Sequence, residues 1–309
     1  MKIVCTGGAG FIGSHVSKAL LEDGHTVHII DNLSAGKREN VPEGAVFHPI
    51  DIRSDAAAEL MRTENYDLLS HHAAQMNVRE SVANPRADAS TNIDGLLNLM
   101  EAGHGHGLKR VIFASTGGAI YGDPVYVPQD EPHPLCPVSP YGVSKLASEK
   151  YLDFYREEYG IPYVSLRYAN VYGPRQNPDG EAGVVAIFIE QMLRGEQPTI
   201  YGDGTQTRDY VYIDDVVAMN RAVIEYKDTA IFNVGTGQET SLNDLFGHIQ
   251  THTDPSMDCA YGPAQPGEQM RSVLDIQRAQ DELGWTPETD MLYGIGETVK
   301  WFEQKLTTA

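Results

Sequence analysis

A short apolar run near the amino terminus, Lys2-Ile3-Val4-Cys5-Thr6, leads directly into Gly7-Gly8-Ala9-Gly10-Phe11-Ile12-Gly13. A helix-forming segment follows from about Phe11 to Asp23 and stops at Gly24. This strand, glycine turn and helix restrict the fold more than any other feature of the chain. Glycines at Gly7, Gly10 and Gly13 recur at intervals of three, and each has its own geometric use. Gly7 permits a tight turn, Gly10 lets a ligand approach the backbone, and Gly13 lets the helix pack closely on the strand.

Alternation of the same kind continues through the first half. Thr26 to Ile30, Val46 to Ile50, Tyr66 to Ser70, Arg110 to Ala114 and Tyr163 to Tyr168 read as strands. Between them fall helical segments, one with apolar residues at Ile93, Leu96, Leu97, Leu99 and Met100, another from Gly142 to Tyr159. Strands apolar on both faces and separated by helices predict an α/β fold with a parallel, doubly wound sheet of Rossmann type. After residue 168 the pattern changes to short elements broken by Pro198, Gly202, Gly204, Pro263, Pro266 and Gly267, with a Gly- and Pro-rich loop over 172–183. The expected organisation is a first domain over residues 1–168 and a smaller α/β domain over 169–309, with part of 211–234 packing back on the first.

The chain has 309 residues, enough for a substantial core, and its 41% hydrophobic and 21% charged content suits a globular protein. No apolar run reaches the roughly 20 residues that cross a bilayer, and Ile3-Val4-Cys5 reads as a buried strand rather than a signal peptide, so a cytoplasmic location is expected. The formal charge of −20 argues against nucleic acid or an anionic membrane as partner, because no basic stripe offsets it. Cys5, Cys136 and Cys259 have no metal-ligand spacing and the histidines none either, so no metal is expected.

A glycine turn opening a helix is a site for a pyrophosphate, since the free N–H groups and the helix dipole both favour an anion there. Asp31 ends the second strand about 20 residues downstream, where a carboxylate can accept hydrogen bonds from ribose hydroxyls. Its charge would repel a 2′-phosphate, which favours NAD over NADP. Farther on, Tyr141 and Lys145 stand four apart at the start of a helix and so share a face. A neighbouring ammonium and a helix N-terminus are both expected to lower the phenol's pKa into a useful range for a base.

Together with Asp51-Ile52, His72-Ala73-Ala74, and Ser115-Thr116 ahead of Tyr121-Gly122, these motifs resemble the extended short-chain dehydrogenases/reductases in type and order. The resemblance spans essentially the whole chain, and is strongest to UDP-glucose 4-epimerases. It implies that Gly7, Gly10, Phe11, Ile12, Gly13, Asp31 and Asn32 hold NAD. Asp51 and Ile52 would flank the adenine, and Ala73, Ala74 and Gln75 the phosphate and ribose, with Asn92 supporting them and Tyr168 at the cofactor. Tyr141 would be the base and Lys145 would bind the nicotinamide ribose. Thr116 takes the family's catalytic serine or threonine position, with Ser115 beside it. For the sugar nucleotide the resemblance points to Thr116, Asn170, Val185, the uracil-holding segment with Thr199, Ile200 and Tyr201, and the diphosphate arginines Arg208 and Arg271. An arginine that commonly precedes Pro-Gly in this family is Gln265 here, leaving Arg271 to serve in its place. The resemblance puts Ser272, a small residue, near the sugar's 2-substituent. It also implies a homodimer formed through helices near Ala89–Ala102 and Gly142–Tyr159.

Ser115-Thr116-Gly117-Gly118-Ala119 bears on the reaction. Related 4,6-dehydratases have an Asp-Glu pair after the threonine, and glycines cannot transfer protons. The expected activity is therefore NAD-dependent 4-epimerisation of a UDP-hexose, glucose or galactose and also the N-acetylated forms, through a 4-keto sugar. Two alternatives stay open: epimerisation or reduction of another nucleoside-diphosphate sugar, and a non-catalytic NAD sensor on the same fold.

Overall fold

The computed structural model describes residues 1–178, 183–265 and 269–308. The first apolar run forms strand β1 (Lys2–Thr6), and the glycine turn delivers helix α1 (Phe11–Glu22). Strands β2 (Thr26–Ile30) and β3 (Val46–His48) follow, then α2 (Asp55–Thr63) and β4 (Leu68–His71). Helices α3 (Val78–Ala83) and α4 (Pro85–Ala89) lead through a π-helical turn at Ser90–Asp94 into α5 (Gly95–Gly103). Next come β5 (Arg110–Thr116), the short α6 (Gly117–Ile120), the long α7 (Pro140–Tyr159) and β6 (Tyr163–Tyr168).

The second half contributes β7 (Asn170–Tyr172), α8 (Val184–Leu193), β8 (Thr199–Tyr201), β9 (Thr207–Arg208), β10 (Tyr210–Tyr212) and α9 (Ile213–Ala222). It continues with β11 (Ala230–Val234), β12 (Thr240–Ser241), α10 (Leu242–His252), β13 (Ala260–Gly262), α11 (Gln277–Leu283) and α12 (Met291–Thr308). Seven strands form one parallel sheet in the order β3-β2-β1-β4-β5-β6-β11, so Ala230–Val234 returns from the second half to lie beside β6. Among the described residues the remaining strands make three two-stranded ribbons.

The pleat explains the apolar strands. Ile3 and Cys5 of β1 join Val27, Ile29, Val164 and Leu166 under α1 and α9, while Val4 points the other way to Ile30, Leu69, Val111 and Phe113 under α2 and α5. Both faces of the sheet are therefore core, as the continuous apolar runs predict. Among the described residues no helix is long and apolar enough to cross a membrane.

Several boundaries differ from the sequence reading. The fourth strand begins at Leu68 rather than Tyr66 and extends to His71. Tyr66 instead turns its hydroxyl to His28 Nδ1 at 2.9 Å, and Asp67 takes the Lys2 amide at 2.8 Å. Ile50 leaves the third strand because its N–H turns back to the His48 carbonyl at 2.9 Å. Helix α7 starts at Pro140, two residues before the expected start, since Ser139 Oγ caps the Gly142 N–H at 3.2 Å and proline fits the first helical position. The helix expected through Ile93 is widened by its π turn.

Candidate active site

Strand order reverses between β1 and β4, and an open sheet of this type forms its crevice at the carboxyl ends of the strands on either side of that switch. The glycine turn after β1 and the loop after β4 meet there. A Cβ added to Gly7 would lie 2.6 Å from the Ala73 nitrogen, and one on Gly13 would lie 2.3 Å from the Gly7 carbonyl oxygen. Both positions thus require glycine on packing grounds. A Cβ on Gly10 would touch only that same oxygen, at 3.2 Å, so its other side stays bare. Helix α1 begins at Gly10 without a side-chain cap, which leaves its first-turn N–H groups for an anion. The cradle fits a dinucleotide pyrophosphate.

Asp31 is nearly buried and stands just beyond β2. Its carboxylate accepts from the Ala9 N–H at 3.0 Å and the Leu33 N–H at 2.8 Å, so it braces the glycine turn. Asn32 donates to Asp51 at 3.0 Å, and Arg53 forks onto the same carboxylate at 2.9 and 2.7 Å. The hydrogen bonds from Arg53 hold the Asp51 carboxyl well below the usual range. Ile52 is buried against Gly95, where a Cβ would come within 2.4 Å of its Cδ1. Ala73 N–H donates to Thr6 Oγ1 at 3.2 Å. Gln75 and Asn92 clasp each other, the Gln75 N–H to Asn92 Oδ1 and Asn92 Nδ2 to the Gln75 carbonyl, both at 2.9 Å. Phe11 and Ile12 are partly buried on the core, and Tyr168 is buried with its hydroxyl accepting from Asn220 at 3.0 Å.

Tyr141 occupies the first turn of α7. A Cβ on Gly142 would lie 2.6 Å from the Ala119 carbonyl, so this glycine lets α7 press against α6 and brings Tyr141 to the Thr116–Ala119 turn. Lys145 is buried; its Nζ donates to the Ala114 carbonyl at 2.8 Å and lies 4.8 Å from the Phe113 ring centre and 5.9 Å from that of Tyr141. Burial pushes the Lys145 ammonium down to about 8, with Asp88 and Glu149 opposing. The expected lowering of the Tyr141 phenol does not occur in the folded chain: burial raises it, and the Asp88 carboxylate adds to the rise. Desolvation of the anion outweighs the ammonium here.

Thr116 and Ser115 part company at the end of β5. Thr116 Oγ1 accepts the Ala119 N–H at 3.2 Å and caps α6. The pleat turns Ser115 under α7, where its hydroxyl donates to Glu149 at 2.7 Å. Across from Thr116 stands Asn170; a Cβ on Gly118 would lie 3.9 Å from Asn170 Oδ1 and 4.0 Å from Thr116 Oγ1. In the other sugar-nucleotide positions, Val185 and Ile200 are fully inside the core, Thr199 is half-buried and Tyr201 is exposed. Arg208 and Arg271 come into one neighbourhood because the Thr207 N–H bonds the Met270 carbonyl at 2.9 Å. Arg208 also donates to the Thr207 carbonyl at 2.8 Å, whereas Arg271 forks onto Glu239 at 2.9 and 2.5 Å. Arg271 is thus not an uncompensated positive charge. Ser272 is buried, and Pro266, Gly267 and Glu268 lie outside the described residues.

The sequence reading missed a polar layer beneath these residues. Glu149, one turn beyond Lys145, accepts from Ser115, Ser165 and both sides of Arg167, while Arg167 also donates to the Tyr121 hydroxyl at 3.0 Å. Asp209 gathers Thr236, Gly237 and Leu274 N–H groups at 2.8, 3.1 and 3.3 Å and so orders the segment next to Arg208. One signal existed: Arg167 interrupts an apolar strand, and a charge there must have a buried partner, though nothing local names Glu149 as that partner.

The profile of the NAD dependent epimerase/dehydratase family matches residues 3–235. The chain belongs to this family. Among solved structures, the UDP-glucose 4-epimerase of Thermotoga maritima, with UDP-glucose, is 47% identical over 99% of this chain and 100% of its own, with a TM-score of 0.96. The UDP-glucose 4-epimerase of Thermus thermophilus in complex with NAD is 42% identical, covering 98% and 99%, with a TM-score of 0.91. The UDP-N-acetylglucosamine 4-epimerase of Methanobrevibacter ruminantium, in complex with UDP-N-acetylmuramic acid, is 37% identical, covering 98% of each chain, with a TM-score of 0.93. Family membership, the glycine cradle and the NAD-bound relative support NAD as cofactor and a nucleotide sugar as the small molecule acted upon.

Proposed function

We propose that this protein interconverts the C4 epimers of a UDP-hexose with NAD as its resident cofactor. One observation carries the reading: the Tyr141–Lys145 pair lies on a helix whose Gly142 packs against Ala119, in a Gly117-Gly118-Ala119 turn that Thr116 caps and that holds no carboxylate. Such a site can move a proton on and off one sugar hydroxyl and has no second acid or base in that turn for eliminating water.

Gly7, Gly10, Gly13 and Asp31 would hold the cofactor's pyrophosphate and adenosine ribose, and Lys145 its nicotinamide ribose. Bound NAD supplies the two-electron exchange at one sugar carbon. The chain's own residues do the rest. Tyr141 exchanges the proton of the C4 hydroxyl, Thr116 Oγ1 hydrogen-bonds the same oxygen, and Lys145 favours the phenolate when Tyr141 gives up its proton. Asn170, Arg208 and Arg271 would position the diphosphate, an arginine fork suiting phosphate oxygens.

Residues 1–168 are taken as the cofactor half and 169–309 as the substrate half. The small residue at Ser272 and the N-acetylhexosamine relative support acceptance of the 2-acetamido sugar as well as the glucose form. Exposed Val143, Tyr151 and Phe154 on α7 support a homodimer through the helices near Ala89–Ala102 and Gly142–Tyr159. The deciding experiment incubates purified protein, without added NAD, separately with UDP-glucose, UDP-N-acetylglucosamine and UDP-glucuronate and separates the products. A 4-epimer from either of the first two is expected. Loss of water or of carbon dioxide, or recovery of all three unchanged, would overturn the reading.

A further inference from the structure

Asp88 has no part in the chemistry set out so far, yet it lies at the centre of the site's polar framework. It belongs to α4 and is 1% exposed. Its Oδ2 accepts from Ser144 Oγ at 2.6 Å, and its Oδ1 from Asn92 Nδ2 at 3.0 Å and Gln75 Nε2 at 3.1 Å. Those donors come from three different places. Ser144 lies in the turn of α7 between Tyr141 and Lys145, Asn92 in the π turn, and Gln75 in the loop after β4. Ser148, a turn further along α7, adds a bond to the Asn92 carbonyl at 3.1 Å.

Each of these three donors is a neutral hydroxyl or amide. Their hydrogen bonds offset the cost of burying the carboxylate without neutralising it, so its charge is left to act on its neighbours. Its bond to Ser144, which shares a helical turn with Tyr141 and Lys145, brings the charge to that pair, where it favours the protonated form of both. Other groups around Lys145 are Glu149 on its own helix, which adds to the effect, and His71 and His72 at the end of β4, which burial keeps neutral.

We propose that Asp88 is a positioning residue for the Tyr141–Lys145 pair: its carboxylate fastens the first turns of α7 to the loop carrying Gln75 and sets a fixed negative charge beside the pair. This rests on the reading of Tyr141 and Lys145 as the reacting pair. Asp88 itself touches neither sugar nor cofactor in this scheme; it acts through Ser144, Asn92 and Gln75.

The test uses the full-length holoprotein with Asp88→Asn and Ser144→Ala. The first removes the charge while keeping the shape, and the second cuts one tether and keeps the charge. Lysine-selective ¹³C NMR, with Lys145 assigned through Lys145→Arg, follows the ammonium directly. In Asp88→Asn its midpoint is expected to fall by about one unit, as loss of a nearby opposite charge requires. The bell-shaped pH profile of kcat on the nucleotide sugar should move to lower pH by a similar amount, with KM unchanged. Asp88→Glu should restore its position. Ser144→Ala should lower kcat several-fold without moving the bell, which keeps a test in hand if Asp88→Asn does not fold. An unmoved Lys145 midpoint and pH profile in Asp88→Asn, or an unchanged kcat in Ser144→Ala, would overturn the proposal. The NMR titration needs no substrate. Wild-type protein that turned over no nucleotide sugar would therefore overturn the proposed function and leave the Lys145 midpoint to judge Asp88.

Discussion

Removing the charge of Glu149 without changing its shape should destabilise this protein more than any exposed ion pair could. Arg167 and Glu149 have side chains 2% and 1% exposed, joined at 2.7 Å. The glutamate also takes the hydroxyls of Ser115 and Ser165, each at 2.7 Å, and Arg167 Nε at 3.1 Å. Glu149→Gln puts an amide N–H₂ where one carboxylate oxygen stood. If the amide oxygen faces the serines, the N–H₂ group faces Arg167, donor against donor. The arginine is then a buried charge with no opposite partner in Glu149, and breaking a buried pair from one side costs about 3–5 kcal/mol. For chains of this size class that corresponds to a fall in melting temperature on the order of 10 °C. Thermal and urea unfolding of the wild type, Glu149→Gln, Arg167→Met and the double variant would measure it. The double variant should lose about 2 kcal/mol less than the sum of the singles, because it strands no charge. A Glu149→Gln melting temperature within about 2 °C of wild type, or strictly additive losses, would refute the argument.

Tyr141→Phe should abolish epimerisation and leave NAD affinity by fluorescence quenching within about twofold, since it removes a proton carrier from a half-buried position; equal loss of both would exclude the role given to Tyr141. Asp31→Ser with Asn32→Arg should shift cofactor preference toward NADP, measured as the ratio of the two dissociation constants; a wild-type protein that already prefers NADP would contradict the reading of Asp31. Burial lowers the pKa of His15 from 6.5 to about 4, and its Nε2 donates to the Pro174 carbonyl at 3.0 Å. The unfolded chain then binds the proton more readily, so His15's contribution is complete above pH 6.5 and is lost as the pH falls toward 4. His15→Gln keeps a donor without titrating, and its melting temperature should fall less steeply over that range; parallel curves would refute this.

How much of this was legible in the sequence depended on how local each feature is. The first strand, glycine turn and helix were readable, because they lie within one stretch and each residue type has a single stereochemical use there. The parallel sheet was readable for the same reason, from runs that are apolar on both faces. Strand ends were less so, as at Tyr66, whose partner His28 is 38 positions away. The polar layer was invisible to local pattern: Glu149 reads as one more charge on a surface helix until Ser115, Ser165 and Arg167 fold beneath it. Asp88 is a similar case: Asn92 is one helical turn away, but Gln75 and Ser144 reach it from 13 and 56 positions away. The expected lowering of the Tyr141 phenol failed because spacing along a helix reports the neighbouring ammonium and says nothing of burial.

A chain of net charge −20 that binds a dianionic diphosphate needs local attraction that does not depend on its overall field. At the cofactor, on the proposed reading, that attraction would come from the backbone, through the bare glycine turn and the uncapped start of α1. At the sugar nucleotide it would rest on side chains, and there Arg271 already holds Glu239, which also accepts from Thr207 Oγ1 at 2.6 Å. An arriving diphosphate would have to share or replace that carboxylate. The pair is largely exposed, so its strength is modest and sensitive to salt, and exchange costs little. The proposed reading thus calls on two unlike solutions to the same anion problem, a fixed one made from main chain and an exchangeable one made from paired charges. The fixed one is where glycine is obligatory on packing grounds; the exchangeable one is where, on the proposed reading, Arg271 would serve beside Gln265.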